Sequence, residues 1–123
     1  MAKVLVVDDE PMILDLVRRA LGSAGHEVRL ADGGDAALAA LADERFDMVV
    51  TDILMPGKEG IALILDIRRL RPGLPVIAIS GGHAHGSHDV LDVARRLGAV
   101  HTLAKPFRAR TLVTLVETCL RDG

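Results

Sequence analysis

The sequence predicts an α/β fold: a doubly wound parallel sheet with helices on both faces. Three observations predict it. Short apolar runs rich in β-branched residues alternate with longer stretches of helical periodicity along the whole chain. Val4-Leu5-Val6-Val7 is apolar at every position, as suits a strand covered on both faces. The segments between successive runs have helix length, so neighbouring strands pair in parallel through crossovers and not as hairpins.

The elements follow in order. Val4 to Val7 is the first strand, closed by Asp8, Asp9, Glu10 and Pro11, an acidic turn that leads into a helix. Pro11 suits the first helical position, where its missing N–H costs nothing. From Met12 to Ala24, Ile13, Leu14, Val17, Ala20 and Leu21 recur at helical spacing, and Gly22 and Gly25 end the run. Glu27 to Ala31 is strand-like. After Asp32-Gly33-Gly34, residues Ala36 to Ala42 form an Ala/Leu helix with Asp35 near its start. Met48 to Thr51 is the third strand, ending at Asp52. Ile61, Ile64, Leu65 and Ile67, with Arg68, Arg69 and Arg71, mark a third helix stopped by Pro72-Gly73. Pro75 to Ser80 is the fourth strand. A Gly/His/Ser loop from Gly81 to Ser87, a helix through about Leu97, a fifth strand near Val100 to Ala104 and a helix from Ala109 to Leu120 complete five β-α units.

With 123 residues the chain is expected to form one domain over residues 1–123, without a separate effector domain. Half the residues are hydrophobic and 26% are charged, which excludes a disordered tail. Phe46 and Phe107 are the aromatic residues, so the core is aliphatic and there are no rings on which bases could stack. The net charge of −2 gives no broad positive field, and direct nucleic-acid binding is not expected. No apolar run approaches the roughly 20 residues of a membrane span, and no secretory signal opens the chain. Cys119 cannot form an internal disulfide by itself and is read as helix packing. These features together predict a cytoplasmic protein with no membrane insertion.

In an open parallel sheet, ligands bind beyond the carboxyl ends of the strands. Strand 1 ends in Asp8 and Asp9, strand 3 in Asp52, strand 4 in Ser80, and strand 5 in Lys105 before Pro106. Each alone is an ordinary turn or surface residue, and their arrival at one edge is what points to chemistry. Three carboxylates a few ångströms apart repel one another, so the cluster needs a cation or must hold a proton. A hard divalent ion answers that need, and Mg²⁺ suits a pocket offering one or two carboxylates plus phosphate oxygens. No thiolate is available here to suggest zinc. The stem of Lys105 can cross the roughly 10 Å between two strands to reach a phosphoryl oxygen, and Ser80 supplies a hydroxyl for another. Aspartate, metal, lysine and hydroxyl are parts for phosphoryl transfer, with Asp52 as nucleophile and Asp8 and Asp9 better suited to holding metal.

These residues resemble the receiver domains of bacterial two-component response regulators. The resemblance runs over nearly the whole chain, through Val7-Asp8-Asp9, Asp52-Ile53-Leu54-Met55-Pro56-Gly57-Lys58-Glu59-Gly60, Ile79-Ser80-Gly81 and Lys105-Pro106-Phe107. It implies a flavodoxin-like (βα)5 fold with five parallel strands in the order 2-1-3-4-5. It also implies that Asp52 takes a phosphoryl group from a histidine kinase or histidine phosphotransfer protein. Asp9, Asp52 and the backbone carbonyl of Leu54 would bind Mg²⁺ directly, and Asp8 would act through a bound water. Lys105 would pair with the phosphoryl group, Ser80 would move toward it, and the backbone at Leu54 and Gly81 would contact it. The Lys105-Pro106 bond resembles one that is cis in the family. The output would be a changed surface of the fourth helix, fifth strand and fifth helix, offered to a protein partner. Such a protein catalyses only its own phosphorylation and slow dephosphorylation.

Several positions set this chain apart within that pattern. Three residues before Lys105, where many receivers carry Tyr or Phe, stands Thr102. Leu54, two past Asp52, cannot orient an attacking water, and Gly82 leaves the flank past Ser80 open, so the phosphorylated lifetime should differ from that of receivers with polar groups there. His83, His85 and His88 lie in a Gly-rich loop read as solvated and not as a metal site. Two alternatives share parts of the site. An aspartyl-phosphate hydrolase usually has an Asp-x-Asp nucleophile motif, whereas Asp8 and Asp9 are adjacent. A flavin carrier would want a hydroxyl- or glycine-rich first turn where this one is acidic.

Overall fold

The computed structural model describes residues 2–53, 60–80, 96 and 101–122. Its elements are β1 (Lys3–Val7), α1 (Pro11–Ser23), β2 (Glu27–Ala31), α2 (Gly34–Asp43), β3 (Met48–Asp52), α3 (Gly60–Leu70), β4 (Val76–Ser80), β5 (His101–Ala104) and a C-terminal helix (Ala109–Asp122). The strands form one five-stranded sheet in the order β2-β1-β3-β4-β5, with every pairing parallel. The expected helix running to about Leu97 lies outside the described residues, apart from Arg96, which is helical and exposed.

Strand periodicity divides the core into two layers. Successive side chains of a strand point to opposite faces. Leu5, Val7, Val49, Val76 and Ala78 therefore pack with Ala37, Ala40 and Leu41 of α2 and Leu63, Ile64 and Ile67 of α3. Val4, Val6, Met48, Val50, Ile77 and Ile79 face the other way, onto Val17 and Leu21 of α1 and Leu112, Val116 and Cys119 of the C-terminal helix. The central strands β3 and β4 are buried at every position, while edge strand β2 shows mostly exposed side chains. Burying aliphatic side chains at about 1.5–3 kcal/mol each on both faces fixes the register that carries the strand ends to a common edge.

The helix boundaries follow local chemistry. Pro11 opens α1, and Glu10, at its N-cap, is extended at φ −98° and makes no side-chain cap. The end of α1 is a Schellman turn: the His26 N–H donates to the Leu21 carbonyl at 3.0 Å and the Gly25 N–H to Gly22 at 3.0 Å. Gly25 sits at φ 91°, and a Cβ there would meet nothing within 4 Å. Gly25→Ala should therefore cost about 1 kcal/mol through backbone strain alone, read as a lowered midpoint of urea unfolding with an unchanged slope. Helix α2 begins at Gly34, two residues before the expected Ala36, and so places Asp35 within its first turn, where the helix dipole favours a carboxylate. The C-terminal helix runs to Asp122, past the expected Leu120, because its buried stripe of Leu112, Val116 and Cys119 secures it near its end.

Candidate functional site

The carboxyl edge of the sheet collects the acidic residues and the lysine. Asp8 follows β1 directly, Asp52 is the last residue of β3, Ser80 the last of β4, and Lys105 follows β5. Backbone bonds set the edge: the Asp8 N–H donates to the Ala31 carbonyl at 3.1 Å, Ile53 to Ile79 at 2.9 Å, and Lys105 to Ser80 at 2.7 Å. The Lys105-Pro106 peptide bond is cis.

The Lys105 ammonium is the centre of the site. Its Nζ lies 2.9 Å from Asp8 Oδ2, 3.0 Å from Asp52 Oδ2 and 2.9 Å from Glu10 Oε1. Asp8 and Asp52 are 1% and 3% exposed, whereas Asp9 and Glu10 are exposed. Asp8 is further fixed by accepting the Glu10 N–H on Oδ1 at 2.9 Å. Neighbouring Thr51 turns its hydroxyl to the Asp52 carbonyl at 2.9 Å.

Burial pushes the Asp8 carboxyl above its ordinary range. The Glu10 N–H and Lys105 pull it down in part, and the Asp52 charge pushes it up again. Burial also works against the charged form of Lys105, but the carboxylates of Glu10, Asp8 and Asp52 outweigh it and hold the ammonium charged well above its usual range. The sign of the Asp8 effect gives a stability prediction. Its carboxyl keeps a proton longer when folded than when unfolded, so its contribution to stability falls as pH rises from 3.8 through the folded-state value. Asp8→Asn, which keeps an acceptor for the Glu10 N–H and leaves Asp52 and Glu10 on Lys105, should gain stability relative to the metal-free wild type as pH rises above 3.8 toward neutral. The gain should vanish below pH 3.8, where Asp8 is protonated in both states, as thermal melts across pH will register.

Asp8, Asp9, Glu10 and Asp52 each offer a carboxylate oxygen, and these atoms lie within 4.8 Å of one another. An all-oxygen donor set that is dense in negative charge fits a hard divalent cation such as Mg²⁺ and not a thiophilic metal. Ser80 adds a fully buried hydroxyl with no hydrogen-bond partner among the described residues, a polar group whose desolvation is not yet offset. Thr102 is half-buried on β5 opposite Ala78.

The structure thus brings Asp8, Asp9, Asp52 and Lys105 together, with Ser80 at the same edge. Leu54, Gly81, Gly82, His83, His85 and His88 lie outside the described residues. The sequence reading passed over Glu10 as part of a turn. No periodicity marks it, because Asp8–Glu10 is a turn closed by the Glu10 N–H on Asp8 Oδ1 and the reach of Glu10 to Lys105 is set by tertiary structure.

The sequence matches the response regulator receiver domain family over residues 4–117. It is 41% identical over 115 residues to the response regulator protein FleR of Pseudomonas aeruginosa, covering 94% of this chain and 24% of that protein. To the DNA-binding transcriptional regulator NtrC of Salmonella typhimurium it is 39% identical over 117 residues, covering 95% and 24%. The crystal structure of the receiver domain of NtrX from Brucella abortus superposes with a TM-score of 0.91 at 41% identity, covering 98% of this chain and 99% of that one. The chain spans about a quarter of the length of the two curated relatives.

Proposed function

The chain belongs to the response regulator receiver family, and from that premise we propose that Asp52 is the residue that accepts the phosphoryl group in this phosphorylation-dependent signalling switch. The observation that carries the assignment is the Asp52–Lys105 contact, 3.0 Å across 53 residues of sequence, at the carboxyl edge of the sheet. Family membership displaces the hydrolase and flavin-carrier alternatives, and it implies a histidine kinase as the source of phosphate.

The transfer asks little covalent chemistry of the protein. An Asp52 carboxylate oxygen attacks the donor phosphorus, the new O–P bond forms as the bond to the donor imidazole breaks, and the ring nitrogen takes a proton. The task left to the protein is positioning and charge neutralisation. Asp8, Asp9 and Asp52 would hold Mg²⁺, and the ion would supply electrostatic neutralisation of the phosphoryl oxygens. Lys105, held charged by its carboxylate neighbours, supplies a second positive group to those oxygens. The Ser80 hydroxyl, which has no partner among the described residues, gains an acceptor when a phosphoryl group arrives, and that gain biases β4 toward a second arrangement. β5, which carries Thr102 in place of an aromatic ring, and the C-terminal helix form part of the surface offered to a downstream protein. Slow loss of the phosphoryl group by the protein's own hydrolysis resets the switch.

Incubation with a small phosphodonor such as acetyl phosphate and Mg²⁺ tests this reading. Intact mass should rise by one phosphoryl group per chain, and chelation of the metal should abolish the gain. Labelling that persists at full rate without a divalent ion would contradict it.

A further inference from the structure

We propose that Glu10 is a competing counter-ion for Lys105, which must let the lysine go before Lys105 can serve a phosphoryl group on Asp52. The proposal rests on the reading of Asp52 as acceptor and adds a positioning residue to it. An ammonium has three N–H donors. Lys105 gives two of them to Glu10 Oε1 at 2.9 Å and Asp52 Oδ2 at 3.0 Å, and Asp8 Oδ2 stands 2.9 Å from the same nitrogen as an ion-pair partner, so three carboxylates crowd the ammonium. A phosphoryl oxygen can be served only when one of them withdraws.

The three partners are not equally able to leave. Asp8 is 1% exposed and also holds the Glu10 N–H, so uncovering it would strand a buried charge. Asp52 is fixed on a fully buried strand and is itself the residue being modified. The Glu10 side chain is 58% exposed and can exchange the lysine for water at small cost. Nor does α1 hold it, since Glu10 stands at the N-cap without capping the helix through its side chain. Its carboxylate lies over the ammonium, with Oε1 2.9 Å from Nζ. Glu10 therefore holds Lys105 before phosphorylation and its negative charge repels the incoming phosphoryl oxygens until it swings out.

The test compares phosphorylation rates of the full chain with acetyl phosphate, at a Mg²⁺ concentration shown to saturate each variant. Glu10→Gln removes the charge and keeps the shape, and should be phosphorylated about threefold to tenfold faster than wild type, with the advantage shrinking as salt is raised. Glu10→Asp keeps the charge but falls a methylene short of Lys105, and should lie between the two. Glu27→Gln, an exposed charge paired with Lys3, should match the wild type. A Glu10→Gln rate equal to or below wild type overturns the proposal, as does a Glu10→Asp rate equal to wild type, which would mean that charge matters without the contact. If Asp52→Asn is silent while Glu10→Gln shows no gain, the Glu10 proposal fails alone. If Asp52→Asn labels like wild type, the acceptor assignment fails and takes the Glu10 proposal with it.

Discussion

Asp52→Asn should reduce phosphodonor labelling to background, a loss of at least about a hundredfold, while leaving the fold intact. The amide is isosteric with the carboxylate, but its nitrogen and carbonyl oxygen are poor nucleophiles, and the acyl phosphate cannot form. Little else should change. Lys105 retains Asp8 and Glu10 as partners, and the strand around position 52 is secured by its neighbours: the Ile53 N–H bonds to Ile79, and Val49 and Val50 are buried in the two cores. The loss is thus chemical and not a matter of folding. Circular dichroism and melting of the variant alongside the labelling assay separate the two.

Lys105→Met should have the largest effect on stability. Removing the ammonium takes from Asp8 and Asp52 the cation they share among the described residues, and breaking a buried pair in this way costs about 3–5 kcal/mol. The pH dependence should also change. Without Lys105 the buried carboxyls bind protons more readily in the folded state than in the unfolded one, so the variant should gain stability as pH falls from neutral toward 4–5, where wild type gains less. In the wild type the Lys105 contribution is fully present below 10.5 and is lost as pH rises through its higher folded-state value. Excess Mg²⁺ should return part of the loss, about 2.7 kcal/mol at a hundred times its dissociation constant, because it binds the folded cluster. Urea melts of the variant with and without Mg²⁺ register both effects. An unaltered melt would mean that Lys105 is not the counter-charge of the cluster.

The parts of the fold that were legible in the sequence are those where local pattern and tertiary packing ask for the same thing. Continuous apolar runs such as Val76-Ile77-Ala78-Ile79 became strands buried on both faces, and the helical stripe of α1 became the face carrying Val17 and Leu21. The Gly25 stop was also legible, since a positive φ there selects glycine. Boundaries were less so. At α2 the weakly helical Gly34 and Asp35 join the helix because the Ala37 N–H reaches the Gly33 carbonyl, a bond that composition does not announce.

The site shows the same division. A carboxylate or lysine after a strand is visible in sequence, so Asp8, Asp9, Asp52, Ser80 and Lys105 could be named as a set. Which groups would touch could not. The lysine's choice of Glu10 as its third partner depends on the turn closed by the Glu10 N–H on Asp8 Oδ1 and on the reach of a side chain from β5 across to β1. The raised Asp8 carboxyl likewise depends on burial among groups that the sequence places far apart.

The central claim, that Asp52 is where the phosphoryl group sits, is tested most directly by locating it. An acyl phosphate is an activated carboxyl group that borohydride reduces to an alcohol, whereas free carboxylates are left unchanged. After labelling with acetyl phosphate and Mg²⁺, reduction and proteolysis, the modified residue should be found at Asp52 and nowhere else. A reduced side chain at Asp8, Asp9 or Glu10 with Asp52 intact would contradict the account.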